Sequence, residues 1–167
     1  SADEAAKLDA DPMFRQLTGN IVFPGFTAPK LEWVRQNEPR IFEQVAKVLL
    51  PKDYLRLWLS GEHVAEMSDA AGTSWLDVGK RDWSEDLLAA TGLTRTHMPR
   101  LVEGSEASGT LRAALASRWG LRANVIIAGG GGDNASSAIG VGVVKGGDAF
   151  VSLGTSGVLF AASDAYQ

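Results

Sequence analysis

Cysteine is absent from the 167 residues, and histidine occurs only at His63 and His97. The first absence rules out a disulfide framework, a thiolate nucleophile and zinc sites of the ribbon type. The two histidines share no i, i+4 spacing and no carboxylate pattern of a metal site, so no metal ligands are expected and both read as surface or packing residues. Basic charge is scarce: 16 Lys and Arg stand against 20 Asp and Glu, a net charge of −4. Nucleic acid demands a basic face, so small-molecule or protein partners are expected instead. No stretch approaches ~18 consecutive apolar residues, and the opening SADEAAKLDADPMF lacks the basic start and apolar middle of a signal peptide. Neither export nor membrane insertion is expected, and a cytoplasmic location fits. Also missing are the lysine of a P-loop and the G-x-S-x-G of a nucleophile elbow.

What is present suffices for one domain, since 45% of the residues are hydrophobic and can form a real core. Residues 3–17 read as one polar amphipathic helix, with Ala5, Leu8, Met13 and Phe14 inward and the sequence TGN as its end. Three short helical stretches come next, separated by Pro39 and Pro51, with Leu31, Val34, Ile41, Phe42 and Val45 at helical spacing. Residues 66–83 fit neither apolar period and read as irregular. Ser84 N-caps a helix stopped by Gly92, LVEGS forms a strand, and a further helix runs from Thr110 to Gly120. The tryptophans, at 33, 58, 75, 83 and 119, mostly occupy apolar helix positions, where core packing is expected over sugar stacking.

The last third changes character. NVIIA suits a buried strand, four glycines succeed it, a helix begins at Asp133, and two apolar runs around GTSG signal a hairpin. Gly130, Gly132 and Ala135 satisfy G-x-G-x-x-A, the dinucleotide fingerprint. That site also wants an acid near the end of the next strand, and here the strand ends in SLGTSG. The alternative is that the glycines give a substrate clearance while Asp133, at a helix N-terminus, serves as an anionic general base. Asp133 as a plain N-cap after a tight turn explains the same stretch. Likewise LGTSG offers backbone donors and the Thr155 and Ser156 hydroxyls to phosphate oxygens, or forms an ordinary hairpin turn. Taken together, an acid site and a hydroxyl site suggest phosphoryl transfer.

The stretch GFTAPKLEWVRQN, residues 25–37, resembles the N-terminal signature of the FGGY carbohydrate kinases, carrying Gly25, Thr27, Lys30, Leu31, Trp33, Val34, Gln36 and Asn37 at the expected spacing. LLPKDYLRLWLSGE, SDAAGTSWLDV and AGGGGDNASSAIGVGVV resemble that family in order, so the likeness spans almost the whole chain. The resemblance implies an α/β fold: a partial ribonuclease-H-like domain of the actin and hexokinase type at residues 1–145, then the opening hairpin of a second such domain at 146–167. It further implies phosphorylation of a sugar, D-xylulose to D-xylulose 5-phosphate, by ATP with Mg²⁺. Carried over by position, Asp133 is the base that takes the sugar hydroxyl proton, Asn134 and Gly132 hold the sugar, and Gly154, Thr155, Ser156 and Gly157 meet the ATP phosphates. No metal-ligating residue is implied, and the resemblance is compatible with a homodimer. The family's DLGTS-type phosphate loop, its MHG segment and its adenine-binding portion have no counterpart here, so the chain is expected to be an internal fragment without activity of its own. A sugar-sensing domain on the same fold and a nicotinamide-cofactor enzyme are the other readings.

Overall fold

The computed structural model describes residues 1–154 and 157–166. The chain forms two compact units, Ser1–Gly130 and Gly131–Gln167.

The first unit opens with two helices where the apolar pattern predicts one, α1 (Ala2–Asp9) and α2 (Pro12–Thr18). Pro12 has no N–H to continue the ladder and pushes Asp11 into extended backbone, at φ −86° and ψ 114°. Asp11 then caps α2, its Oδ1 accepting from the Met13 N–H at 3.0 Å. Next come α3 (Thr27–Asn37), α4 (Pro39–Phe42) and α5 (Pro51–Ser60), and Pro39 and Pro51 each stand at the first helical position, as expected of prolines that separate helices. Within α3 the Glu32 carboxylate receives the Arg35 fork at 2.6 and 2.7 Å and the Gln36 amide at 2.7 Å. Burial pushes Glu32 up, but the hydrogen bonds from Arg35 and Gln36 outweigh it and hold the carboxyl below its ordinary value.

β1 (Val64–Glu66) pairs in parallel with β4 (Arg100–Val102). Between them lie α6 (Met67–Ala70), a 3₁₀ turn, the short hairpin β2 (Leu76–Asp77) and β3 (Asp82–Trp83), and α7 (Glu85–Ala90). The hairpin falls in the stretch expected to be irregular, and its strands of two residues are too short for any period to register. Ser84 caps α7 as expected, accepting from the Leu87 N–H. The core gathers here. Trp75, Leu87, Leu88 and Phe14 are fully buried, joined by Ala65 and Trp83. Both indoles are satisfied: Trp75 Nε1 donates to Thr91 Oγ1 at 2.9 Å and Trp83 Nε1 to the Pro99 carbonyl at 2.8 Å. The other tryptophans, Trp33, Trp58 and Trp119, are 43–49% exposed, so core packing holds for only two positions.

β5 (Ala107–Thr110) and β6 (Ile126–Ala128) form an antiparallel pair flanking α8 (Ala113–Arg118). Thr110 thus ends a strand instead of starting the helix, because the Leu111 N–H still bonds the Val125 carbonyl at 2.8 Å. Nor is β6 buried, since Ile126 is 67% exposed on a two-stranded ladder. Ile41 is exposed as well, although its spacing fits a helix face.

The second unit holds α9 (Asp133–Val141) and the hairpin β7 (Ala149–Leu153) and β8 (Gly157–Ala161), both expected. Phe150 and Phe160 stack across the hairpin with centroids 5.3 Å apart, while Val151, Leu153 and Leu159 are exposed. Among the described residues no helix is long and apolar enough to cross a membrane.

Two consequences are measurable. Thr91→Val removes the acceptor of a buried indole N–H and should cost about 1–3 kcal/mol in urea unfolding. Because the Glu32 carboxyl sits below its ordinary value of 4.5, it adds stability above that pH that is lost as pH falls through the folded value. Glu32→Gln should therefore flatten the acid limb of the stability curve, and an unchanged limb would contradict the assignment.

Candidate active site

The glycine stretch is held by unusually close backbone packing. After β6 the Gly129 N–H donates to the Glu106 carbonyl at 2.8 Å and the Gly130 N–H to the Gly104 carbonyl at 3.0 Å. A Cβ on Gly129 would overlap the Glu103 carbonyl, and one on Gly104 would come within 2.5 Å of the Gly130 carbonyl oxygen. Gly130 has φ +83°, a left-handed conformation that other residues adopt at a cost. Two glycines are thus needed for close approach and one for backbone geometry. Among the described residues the strand leading into the stretch pairs antiparallel with β5, not in the parallel βαβ arrangement of a dinucleotide site.

Gly132, with φ −62° and ψ 153°, is the N-cap of α9, and its carbonyl accepts from the Ser136 N–H at 2.9 Å. Asp133 is therefore the first helical residue and not the cap. Both Asp133 and Asn134 are exposed, and the Asp133 Oδ1 accepts from the Asn134 N–H at 2.7 Å. In the same unit Gly154 comes directly after β7, and Gly157 opens β8, paired with Leu153. A Cβ on Gly157 would meet only the Leu153 Cδ2 at 3.7 Å, which leaves its backbone open to approach. Thr155 and Ser156 lie outside the described residues.

The charges on α5 are not apparent from hydrophobic spacing. This helix is inverted: Asp53 and Arg56 are buried, while Tyr54 and Leu55 are more than half exposed and Trp58 nearly half. Arg56 Nη1 donates to Asp53 Oδ1 at 3.0 Å and to the Val64 carbonyl at 2.6 Å, and Nη2 donates to the Gly129 carbonyl. Lys52 Nζ lies 3.2 Å from Asp53, 3.5 Å from Glu66 and 3.4 Å from Asp69. Buried Glu66 also caps α6, accepting from the Ser68 and Asp69 N–H groups at 2.8 Å. Burial pushes the Asp53 carboxyl up from its ordinary value, against the opposing charges of Lys52 and Arg56. The available signal lies in PKDYLRLW, where Asp53 and Arg56 are opposite charges one helical turn apart.

Among the described residues no group of three His, Asp or Glu is arranged to hold a metal ion. His97 Nδ1 accepts from the Thr94 N–H at 3.0 Å in a local turn. An open depression of about 720 Å³ beside β3 and β4 carries Arg81 and Arg95, which are already paired with Glu103 and Asp82.

The fold, shared with solved sugar kinases, is a partial domain of the actin and hexokinase type. Residues 2–140 match the model of the FGGY family of carbohydrate kinases, N-terminal domain, and the chain belongs to that family. It is 56% identical over 166 residues to xylulose kinase of Escherichia coli strain K12, covering 99% of this chain and 34% of that protein. The crystal structure of a xyloylose kinase from Brucella ovis superposes with a TM-score of 0.97 at 70% identity, over 99% of this chain and 34% of that one. Glycerol kinase of Plasmodium falciparum with ADP shares the fold, with a TM-score of 0.84 at 20% identity over 94% of this chain and 32% of that one. The chain spans about a third of the length of the relatives it matches.

Gly129→Ala forces backbone against backbone and should cost about 1–3 kcal/mol, whereas a methyl group on Gly72 meets nothing within 4 Å. Thermal unfolding should therefore separate the two variants, with Gly72→Ala near the parent and Gly129→Ala well below it.

Proposed function

We propose that this chain works, within a protein of its relatives' length, as part of an ATP-dependent sugar kinase that converts D-xylulose to D-xylulose 5-phosphate. The observation that carries the reading is the 56% identity to a xylulose kinase across 99% of this chain. In this proposal residues 1–145 are the C-terminal part of the N-terminal kinase domain, and residues 146–167 begin the second. The family match ending at residue 140, ahead of the β7–β8 hairpin, supports that division.

Asp133 is the base. Its exposure at the first position of α9 suits a carboxylate that must meet a substrate hydroxyl, and the glycines ahead of it carry no side chains to obstruct a sugar. As the terminal hydroxyl oxygen forms its bond to the γ-phosphorus, the bond to the ADP oxygen breaks and the hydroxyl proton passes to Asp133. Such a loose transfer relies on positioning and charge stabilisation, so an ordinary carboxylate suffices. Asn134 and Gly132 are assigned to the sugar. Gly154, Thr155, Ser156 and Gly157 are assigned to the ATP phosphates, and the open backbone at Gly157 fits that role. Mg²⁺ would supply charge neutralisation on the phosphate oxygens. A cytoplasmic setting and a homodimer complete the proposal.

In the full-length enzyme, numbered as here, Asp133→Asn should reduce ADP release with D-xylulose by at least about a thousandfold while calorimetry still detects sugar binding. Retained turnover would remove Asp133 as the base, and sugar binding with no turnover in the parent enzyme would favour a sensing domain.

A further inference from the structure

We infer that the depression beside β3 and β4 binds a small phosphorylated organic molecule, whose phosphoryl group rests on Lys47 and Arg100. The inference uses none of the residues assigned to sugar or ATP and goes beyond the proposed kinase reaction.

The depression lies wholly within the first unit, and its volume of about 720 Å³ is that of a small-ligand cleft. Its charge is opposite in sign to that of the chain. Lys47, Arg81, Arg95 and Arg100 line it against the carboxylates Glu62 and Asp82, in a chain whose net charge is −4. A cleft lined mainly by one sign of charge raises the local concentration of ions of the other.

The four cations are not equivalent. Arg95 spends its guanidinium on Asp82, with Nη2 at 2.5 and 2.7 Å from the two carboxylate oxygens, and Arg81 donates to Glu103. Lys47 is paired with no carboxylate among the described residues. Its Nζ donates to the Thr96 carbonyl at 2.7 Å and the Met98 carbonyl at 3.0 Å, and the next residue's N–H, that of Val48, donates to the His97 carbonyl at 2.9 Å. An exposed ammonium is thus pinned by two neutral acceptors, with its charge uncancelled and a third N–H left over. Arg100 is exposed at the start of β4, two residues beyond Met98, and its guanidinium forms no ion pair with the described residues. A fixed point charge beside a planar fork suits the three terminal oxygens of a phosphoryl group.

Two further features fit an organic phosphate. Arg81, in the β2–β3 turn, has φ +57°, a left-handed conformation that an L side chain adopts at a cost. Glycine would relieve that cost, whereas arginine there keeps a cation on the depression. The floor is apolar: Trp83, Met98 and Pro99 are buried, and Leu101 is half-buried beside them. A bare inorganic ion would leave that floor uncovered, and a carbon body attached to the phosphate would cover it.

The test is a footprint on the full-length enzyme, numbered as here: lysine acylation read by mass spectrometry with glucose 6-phosphate, inorganic phosphate or glucose present at matched ionic strength. A small anion held by a few charge-assisted hydrogen bonds in an open site binds in the millimolar range, so about 10 mM glucose 6-phosphate should slow acylation of Lys47 about tenfold. Acylation of Lys80, whose side chain is 81% exposed in the same hairpin turn as Arg81, should not change. Inorganic phosphate should protect Lys47 less, glucose should not protect it, and Arg100→Glu should abolish the protection. Should Arg100→Glu not fold, Arg100→Gln carries the same expectation. Lys47 unprotected or already unreactive in the free enzyme, equal slowing at Lys47 and Lys80, or protection that survives the Arg100 substitution would overturn the inference. Equal protection by inorganic phosphate would overturn the organic ligand, and protection by glucose alone would overturn the phosphoryl contact.

Discussion

One buried guanidinium organises much of the first unit. Arg56 joins a helix, a parallel strand and a glycine turn through residues 53, 64 and 129, and each partner is a carboxylate or a backbone carbonyl that burial would leave costly without a donor. The arrangement is incomplete at one atom, since Arg56 Nε is buried without a partner among the described residues. Burying charge this way is a poor route to stability, because desolvation consumes most of the attraction. Its return is registry: the strand end, the helix and the turn can meet in only one relation if the fork is to be filled.

Around that centre the structure divides its work between packing and approach. The indoles of Trp75 and Trp83 are buried with their N–H groups satisfied, which anchors the core of the first unit without leaving polar atoms stranded. The glycine turn carries almost no side chains. Asp133 and Asn134 are exposed directly after it in the chain.

Much of this was legible in the residues. Pro39 and Pro51 marked helix starts because their missing N–H is harmless only there, and Ser84 announced α7 through its cap. The helix at Asp133 and the hairpin beyond it were also readable, since glycine and β-branched runs change the period abruptly. The break at Asp11 was missed because apolar spacing continued across Pro12, and backbone chemistry overrode pattern. Thr110 misled because a strand of small residues, ASGT, has no alternation to detect. Arg56 was hidden for a deeper reason. Hydrophobic periodicity assumes that charges face water, and α5 reverses the assumption to reach partners 8 and 73 residues away along the chain. Asp133 opens α9, as the glycines before it and the helix pattern after it lead one to expect, while what holds Gly129 depends on contacts between distant segments.

The β7–β8 hairpin has a consequence of its own. Phe150 and Phe160 stack on one face, while Val151 and Leu153, the latter 84% exposed, stand with Leu159 on the other. Apolar residues on both faces are the mark of strands meant to be covered on both faces, and an uncovered ladder of this kind invites edge-to-edge pairing between molecules. During synthesis, this ribbon is therefore a segment whose exposure time matters: until other structure sheathes it, the nascent chain carries a sticky edge that chaperones, dilution or rapid docking must keep from other copies.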